Sequence, residues 1–405
     1  MTTELPAMPT TRTSLLDPPA EYHQLREEQP VTRVRFPNGQ AGWLVTRFEE
    51  GSAVFADPRL SARRPRHDVP PDDTGTSDAD HGDAGLDPTF VMMDEPDHGQ
   101  YRRLLTGRFT PKSVQNTLQP YIDRIVTEHL DALAAGPKPA DLIEALALPI
   151  PCLVICELLG VPYRDRDGFH HATEVMMDVS KTHAERAAGA KWLMGYITDL
   201  VAAIRQDPGA TGLLADLVRT ADTGESVLTD TDVVSIGVLL LFAGHDTTMA
   251  MIGLSALTLL THPEQRAQLV DDPAKVGPAV EELLRYLTIV QFGLGRVAKE
   301  DLELGGQQIA AGDLVVVAMP AANRDPRAFD APDSPDFDRK MTRHLAFGYG
   351  VHRCLGQNIA RAELKTILPQ LFRRFPDLKL AVPAEEVPMD VHGTNYGVRS
   401  LPVTW

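Results

Sequence analysis

Cys354 is the residue of this sequence whose surroundings best suit chemistry, because it follows a glycine-bearing turn and precedes an apolar stretch. A thiolate at the start of a helix is stabilised by backbone N–H groups and by the positive end of the helix dipole. Gly350 and Gly356 allow the backbone to approach a flat ligand, and His352 and Arg353 add donors for an anion. A thiolate, a cation and a close backbone together suit a haem with its two propionates.

Two other interpretations of this cysteine are open from the sequence. A cysteine is more often a buried, inert thiol than a ligand. A zinc site of His344, His352 and Cys354 is conceivable, but these residues lack the paired spacing of structural zinc motifs. Cys152 and Cys156 lie in an apolar helical stretch and are expected to be core thiols. Three cysteines are too few for a disulfide framework, which is consistent with a reducing cytosol.

The stretch 232–260 is almost wholly apolar and predicts a long buried helix. A transmembrane helix is the rival interpretation, but the polar segment 244–248 interrupts the stretch, and a charge at bilayer depth is costly. Hydroxyls can bond back to the backbone and bend a helix, and Gly244 weakens the helix further, so we expect a break here. An acid beside a hydroxyl can also relay protons.

Charged residues at helical spacing form two further groups. Glu282 and Arg285 lie three apart on one helix face, although such pairs usually form solvated salt bridges of small value. His98 and Arg102 lie four apart on one face of another helix. Arginine suits bidentate binding of a carboxylate and histidine adds a donor, so these residues and Arg296 are candidates for binding an anion. The alternative for each is an ordinary surface cation.

These motifs, in this order along the chain, resemble those of the cytochrome P450 family. The segment 243–247 is similar to the distal-helix motif A-G-x-D/E-T, and 282–285 is similar to E-x-x-R. The haem-binding signature F-x-x-G-x-H-x-C-x-G is matched at Phe347, Gly350, His352, Cys354 and Gly356.

The resemblance implies a role for each motif residue. Cys354 is implied to ligate the haem iron. Thr247 is implied to hydrogen-bond dioxygen and Asp246 to relay protons, while Ala243 and Gly244 line the oxygen-binding groove. The residues implied around the haem propionates are His98, Arg102, Arg296 and His352.

The E-x-x-R pair is implied to be buried and to lock the meander that precedes the Cys loop. Arg339 is the candidate for the third, cationic member of that network. The segment Asn323-Arg324-Asp325-Pro326 resembles a recurring structural segment of the family.

The implied fold class is mainly α: the cytochrome P450 fold, a triangular prism of about a dozen helices with small β-sheets. A single domain is expected over 20–405, after a polar, proline-rich tail at 1–19 that has no apolar signal core. The segment 61–88 is rich in Pro, Gly and Asp and is expected to be a mobile lid or a disordered insert. Its position in the family favours a lid.

The implied activity is that of a haem b monooxygenase. It inserts one oxygen atom of O2 into a C–H bond, or epoxidises a C=C bond, of a lipophilic small molecule in secondary-metabolite tailoring or xenobiotic oxidation. A peroxide-driven or rearranging P450 is the alternative within the family, but such enzymes often lose the acid–alcohol pair. A non-catalytic haem protein is the alternative outside it. Gln291, Thr394 and Asn395 are expected as polar anchors in the pocket wall.

The formal net charge of −17 argues against binding to nucleic acid. Electrons are expected from NAD(P)H through a ferredoxin reductase and a ferredoxin, and the chain is expected to be a cytoplasmic monomer without a membrane partner. A positive patch would suit docking of a small acidic electron carrier, the alternative being scattered solvated charges. Its candidate members are Arg102, Arg103, Arg108, Lys112, Arg353, Arg361 and Lys365.

Overall fold

A computed structural model of the chain is mainly helical, with small sheets. It contains fourteen α-helices and twelve short strands in the residues that it describes, which agrees with the expected class. Those residues are 5–63, 89–177, 181–224, 226–340, 343–391 and 393–405. The lid predicted over 61–88 lies outside them from residue 64 onward.

The helices are separated by short connections for most of the chain. Two π-helical segments, Val114–Leu118 and Ile143–Ala147, lead into the fifth and sixth of them. In chain order the helices are α1 Glu21–Glu28, α2 Phe48–Ala56, α3 Asp97–Thr106, α4 Pro111–Ser113, α5 Gln119–Ala135, α6 Pro149–Leu159, α7 Arg166–Met177, α8 His183–Gln206, α9 Leu213–Asp222, α10 Asp230–Thr261, α11 Pro263–Asp271, α12 Val276–Leu287, α13 Met319–Ala322 and α14 Gln357–Arg374.

The strands form one sheet of five strands and three smaller ones. In chain order they are β1 Val31–Arg35, β2 Ala41–Val45, β3 Leu60–Ser61, β4 Ala140–Asp141, β5 Leu294–Ala298, β6 Leu302–Leu304, β7 Gln307–Ile309, β8 Leu314–Val317, β9 Lys379–Leu380, β10 Met389–Asp390, β11 Gly397–Val398 and β12 Pro402–Thr404. The large sheet has the order β1-β2-β8-β5-β3, and the others are β4-β12-β9, β10-β11 and β6-β7.

The contacts group the described residues into two compact units, each assembled from segments that are separate in the sequence. The first unit comprises the described residues up to 63, then 91–94 and 272–354. The second comprises 89–90, 95–271 and 355–405. The single domain expected over 20–405 stays a prediction.

The first unit is built on the five-stranded sheet. Strands β2 and β8 are parallel and the other neighbours are antiparallel. Val45, Val315 and Val317 are fully buried in this sheet and pack with Phe48 and Phe329. Branched and aromatic side chains favour strands because they pack well on a pleated surface, so this run of valines specifies the sheet.

The second unit is built around α10. This helix starts with a capping box, in which Thr229 Oγ1 accepts from the N–H of Asp232 and Asp232 Oδ2 accepts from the N–H of Thr229. Helices α6, α8, α9 and α14 and strand β11 pack against it. The helix is long and apolar enough to cross a membrane, but 61% of its apolar 18-residue segment is buried inside the protein. The prediction of a core helix is therefore supported.

The break that we expected at Gly244 is absent, because α10 is continuous from Asp230 to Thr261. The predicted return hydrogen bond does form: Thr247 Oγ1 donates to the carbonyl oxygen of Ala243 at 2.8 Å. Tight packing of the surrounding helices favours the regular helix over the local alternatives that glycine and threonine offer.

Glu363 on α14 is buried, and its Oε2 has no hydrogen-bond partner among the residues that the structure describes. Burial raises the pKa of this carboxyl well above the usual 4.5 for glutamate. The folded state therefore holds a proton that the unfolded state releases. The stability of the protein consequently falls as the pH rises from the unfolded pKa towards the raised folded pKa.

We predict that Glu363→Gln removes this pH dependence, because an amide cannot ionise. In the wild type the free energy of unfolding should fall by up to about 1.4 kcal/mol per pH unit within that window. The measurement is denaturant unfolding of the holoprotein across a pH series. Glu385→Gln, at an exposed carboxyl, is the control. Parallel pH profiles for the wild type and Glu363→Gln would contradict the prediction.

Candidate active site

The loop that carries Cys354 consists of successive tight turns. The N–H of Gly348 donates to the carbonyl oxygen of Leu345 at 2.8 Å. A 3-10 turn follows at Gly350–His352. The N–H of Cys354 then donates to the carbonyl oxygen of Phe347 at 2.9 Å and closes the loop. The backbone itself thus fixes where the cysteine lies, two residues before the N-cap of α14.

Two glycines of the loop have different reasons to be glycine. Gly350 has a φ of +72°, and a Cβ there would overlap the carbonyl oxygen of Phe55. The protein's own backbone therefore requires this glycine, whereas the sequence suggested close approach to a ligand. A Cβ on Gly356 would meet nothing within 4 Å, so this position borders open space.

Cys354 is the one exposed thiol of the three cysteines. Cys152 and Cys156 are buried on α6, as predicted for core thiols. The hydrogen bond with Cys152, together with burial, raises the pKa of the Cys156 thiol. Neither buried thiol can act as a ligand at a surface that a cofactor reaches, so the available sulfur is that of Cys354.

The start of the Cys loop is held by an amide at the end of α13. Asn323 Oδ1 accepts from the N–H of Leu345 at 2.7 Å, and Asn323 Nδ2 donates to Thr288 Oγ1 at 2.8 Å. Thr288 Oγ1 in turn donates to the carbonyl oxygen of Arg285 at 2.7 Å. These side chains are all buried, so each bond fixes the register between α12 and the loop without competition from water.

His344 adds a second anchor to the loop. Its Nδ1 accepts from the N–H of Ala346 at 3.1 Å, and its Nε2 donates to Glu281 Oε2 at 3.1 Å. An accepting ring nitrogen carries no proton, so neutral His344 is the Nε2–H tautomer. Both nitrogens are bound by protein atoms, which removes His344 from the zinc alternative. Within the described parts of the chain, no group of three or more His, Cys, Asp or Glu could hold a metal ion.

The E-x-x-R pair is buried, as the resemblance implied. Glu282 is 1% exposed and Arg285 is fully buried. Arg285 Nε and Nη2 donate to the two carboxylate oxygens at 2.8 and 2.7 Å. Arg285 Nη1 donates to the carbonyl oxygens of Asn323 and Pro332 at 2.7 and 2.9 Å. One side chain thereby joins α12, the end of α13 and the meander.

Arg339 is confirmed as the third member of this network. Its Nε lies 3.1 and 3.2 Å from the two oxygens of Glu282. Its Nη1 donates to the carbonyl oxygen of Asp330, and its Nη2 to those of Ala331 and Ser334 at 3.3 Å. The meander is therefore wrapped around a single guanidinium that is itself held by the buried carboxylate.

The segment Asn323-Arg324-Asp325-Pro326 has structural contacts as well. Arg324 is fully buried, stacks on the ring of Tyr286 at 3.7 Å and donates to Asp333 Oδ1 at 3.0 Å. Asp325 Oδ2 accepts from the N–H of Phe48 at 3.0 Å and so caps α2. These contacts support the structural role that the sequence suggested.

The first unit also holds two of the four predicted propionate partners. Arg296 on β5 lies over the ring of Phe55 at 5.3 Å, with Nη1 2.9 Å from the carbonyl oxygen of Gly295. His352 is half-buried in the Cys loop. Two apolar side chains are exposed here, Val351 at 52% and Leu294 at 38%.

These groups fit a haem by the chemistry of their donors. A thiol sulfur suits the iron, a guanidinium and an imidazole suit two carboxylates, and exposed valine and leucine side chains suit an apolar ring.

The other two predicted propionate partners lie on α3 in the second unit. His98 is buried, its Nδ1 is 3.1 Å from Glu95 Oε1, and its ring stacks on Phe90 with centroids 6.2 Å apart. Arg102 follows one turn later and is half-buried. Tyr101 on the same helix donates to Asp232 Oδ1 at 3.1 Å, and burial raises the pKa of Tyr101 to about 12. The hydroxyl bond fixes α3 to the first turn of α10.

The middle of α10 has an accessible stripe on a helix that is buried for most of its length. Leu239, Ala243 and Thr247 are four residues apart and lie on one helix face, and each is exposed or half-exposed. Gly244 lies beside this stripe, where α6 approaches so closely that a Cβ would come within 2.9 Å of Ile155 Cδ1. The hydroxyl of Thr247, held by Ala243, is thus presented on a face that a ligand can reach.

Asp246 lies next to this stripe and has a neutral partner. Asn395 Nδ2 donates to Asp246 Oδ2 at 2.8 Å. Burial raises the pKa of the Asp246 carboxyl, the hydrogen bond from Asn395 lowers it, and the charge of Asp390 raises it, with burial the largest cause. The net direction is upward, so the protonated acid is favoured here more than for an ordinary aspartate.

Sequence reasoning missed two of these contacts. We expected Asn395 to be a polar anchor in the pocket wall, whereas its side-chain amide binds Asp246. The pairing of His344 with Glu281 was also missed. The members of each pair are far apart in the chain, and no local spacing signals such contacts.

Comparison with known proteins points to the same family as the motifs. A family model described as cytochrome P450 matches residues 183–400. The chain is 43% identical to cytochrome P450-SU2 of Streptomyces griseolus, covering 96% of this chain and 94% of that protein. It is 41% identical to vitamin D3 dihydroxylase of Streptomyces griseolus, covering 100% of this chain and 98% of that protein.

Solved structures agree. The crystal structure of CYP105P1 in complex with filipin I matches with a TM-score of 0.90 at 40% identity, over 99% of both chains. The predicted fold class is confirmed.

We predict that Glu282→Gln prevents stable folding of the Cys loop. As a consequence, the variant should lose bound haem. The substitution keeps the shape of the side chain but leaves two buried guanidiniums without their anion, at a cost of about 3 to 5 kcal/mol. The measurements are haem content per purified protein and the free energy of unfolding. Glu27→Gln, which breaks an exposed pair with Arg327, is the control and should change neither strongly. A variant with full haem content and a lower turnover rate would contradict this structural role.

Proposed function

The chain belongs to the cytochrome P450 family of haem-thiolate monooxygenases, and from this premise we propose that it inserts one oxygen atom of O2 into a C–H bond, or epoxidises a C=C bond, of a lipophilic small molecule. The observation that carries the proposal is the exposed thiol of Cys354, presented by a loop that the buried side chains of Asn323 and His344 anchor. The two other thiols of the chain are buried and unsuitable.

The haem, when bound, supplies the oxidising chemistry, and thiolate ligation favours O–O cleavage. Cys354 would hold the iron of a haem b through its thiolate sulfur. The propionates are assigned to Arg296 and His352, and to His98 and Arg102 on α3. Phe347, Gly350 and Gly356 shape the loop that presents the sulfur. The protein supplies position, charge compensation and protons.

Proton supply is assigned to Asp246 and Thr247. Because Asp246 Oδ2 accepts from Asn395, the proton of the neutral acid is placed on Oδ1. The raised pKa of this carboxyl keeps that proton available at a higher pH than an ordinary aspartate would. Thr247 Oγ1 donates to Ala243, so its lone pairs can accept a proton passed along the face of α10.

The presence of the acid–alcohol pair favours activation of dioxygen over the alternatives. A peroxide-driven or rearranging P450 does not need protons delivered in this way. A non-catalytic haem protein would need neither the buried acid nor the accessible hydroxyl. Both stay as second candidates, and neither has an observation that favours it.

We assign the substrate to lipophilic natural products or xenobiotics. The accessible stripe of α10 offers Leu239 and Ala243, which suit an apolar ligand. The relatives point the same way, since their names include vitamin D3 and filipin I. Gln291 and Thr394 stay as proposed polar anchors of the pocket wall.

The family uses redox partners, and we propose NAD(P)H, a ferredoxin reductase and a ferredoxin for this chain. Exposed Lys112 and Lys365 are candidate docking cations, whereas Arg108 is paired with Asp216. The protein as a whole is acidic, with a net charge of −17. A local positive patch would therefore orient an acidic partner towards one part of the surface. We also propose that the protein is a monomer and is located in the cytoplasm.

We predict that Cys354→Ala abolishes the red-shifted band of the reduced protein with carbon monoxide, because that band reports a thiolate on the iron. The measurement is a reduced-CO difference spectrum of each purified protein. Cys152→Ala removes a buried thiol and should keep the band. A wild type without the band would refute the haem-thiolate proposal, and a band that survives Cys354→Ala would refute the assigned ligand.

We predict that a lipophilic natural product shifts the Soret band of the ferric protein from low to high spin. The titration panel consists of vitamin D3, filipin I, macrolides, terpenoids and fatty acids. A compound that shifts the band is then assayed for turnover with O2 and a reduced ferredoxin, and separately with peroxide. Product formed with peroxide alone would favour the second candidate, and a panel without any shift would contradict the assigned substrate class.

A further inference from the structure

The face of α10 that carries Asp246 is covered by the hairpin β10–β11. Asp246, Ala250 and Gly253 are spaced four and three residues apart and share one helix face. A Cβ on Gly397 of β11 would come within 3.3 Å of Ala250 Cβ, and a Cβ on Gly253 within 3.5 Å of Val398 Cβ. Small residues on both sides thus let strand and helix touch directly, one turn beyond the acid.

This close contact fixes where the residues before β11 lie. Asn395 precedes Gly397 by two residues and is only 8% exposed. Its Nδ2 donates to Asp246 Oδ2 at 2.8 Å, a normal length for a hydrogen bond to a carboxyl oxygen. Among the residues that the structure describes, no other side chain donates to this carboxyl. The carboxyl therefore takes its orientation from a residue that precedes β11 and is 149 positions away in the chain.

The partner of Asp246 is uncharged, and this matters for proton transfer. A lysine or arginine in the place of Asn395 would favour the anion by about 1 to 3 pKa units. An amide gives a weaker preference for the anion, while burial and the charge of Asp390 oppose ionisation. Asp390 itself lies 3.5 Å from Arg399, so the hairpin presents an ion pair with little net charge. Asn395 therefore holds the Asp246 carboxyl in place, while the net direction of its pKa still favours the protonated form.

We propose that Asn395 is a positioning residue for proton delivery: its amide fixes Asp246 Oδ2 so that Oδ1, with the transferable proton, keeps one orientation beside Thr247. The inference rests on the proposed function, in which Asp246 supplies protons. It assigns Asn395 to the acid, whereas the sequence placed this residue among the anchors of the substrate. The hairpin β10–β11 thereby becomes part of the proton pathway.

The first test reads the acid itself in the ferric holoprotein and needs no turnover. Infrared difference spectra across a pH series follow the C=O stretch of a protonated carboxyl, identified as the band that Asp246→Asn lacks. In Asn395→Ala the band should shift and persist to higher pH, because a hydrogen bond that lowers the pKa is lost. Asn395→Asp, nearly equal in shape, should raise the midpoint further because two carboxyls share the site.

The second test separates positioning from substrate binding by a double-mutant cycle. The readout is product formed per NAD(P)H consumed, with KM for the substrate measured alongside. Asn395→Ala should lower this ratio by about tenfold, the effect of one lost hydrogen bond to an ionisable group. In the Asp246→Asn background the same substitution should have no further effect, because the acid that Asn395 positions is already absent.

Each outcome decides the inference. An unchanged infrared band and midpoint in both Asn395 variants would overturn it, even with the haem-thiolate band intact. An equal loss in both backgrounds, or a raised KM with an unchanged product ratio, would overturn it in favour of a substrate contact. If Asn395→Ala fails to fold, Asn395→Asp supplies the decision. Failure of the proposed function is distinct, because it is a wild type without the reduced-CO band.

Discussion

The carboxylate of Glu282 is the interaction on which the first unit depends. A buried anion is tolerated only when donors surround it, and this one receives two guanidiniums and the N–H of Asp336 at 2.9 Å. Arg285 belongs to α12 and the other two donors belong to the meander, so the carboxylate dictates how α12 and the meander meet. The end of α13 follows through the carbonyl oxygen of Asn323, and Asn323 then sets the start of the Cys loop. The position of one sulfur is therefore the last link of a chain that starts at one buried charge.

The second unit holds an acid, Asp246, to which the proposed function assigns proton supply, so this acid has to stay able to lose and regain a proton. Glu282 is matched by two cations, whereas Asp246 is matched by one amide. The carboxyl of Glu282 is thus paired with cations, whereas that of Asp246 favours its protonated form more than an ordinary aspartate does. Partner choice, rather than burial alone, separates a structural carboxylate from one that can take part in proton transfer.

Motifs whose residues are neighbours in the sequence could be located from the sequence alone. The Cys loop, the Asp246-Thr247 pair and the buried pair of Glu282 and Arg285 all have diagnostic spacing, and the family pattern also located Arg339. The core helix was predicted from its apolar run, although the break was not found, because packing on both sides keeps it regular. Asn395 could be placed near a pocket but not on Asp246, since that contact depends on the register of a strand against a helix. Long-range registers of this kind result from close packing of small residues, which leaves no periodic signal.

Because of the accessible stripe, different faces of α10 have different roles. Leu239 and Ala243 contribute little to the packed interior, so substitutions there should change folding free energy by small amounts. The acid and the hydroxyl, by contrast, are held by specific partners. The lining of this face can therefore change while Asp246 and Thr247 keep their partners, and such a change requires no rebuilding of the core. Such separation makes the scaffold evolvable, because the surface that a ligand reaches is decoupled from the contacts that hold the fold.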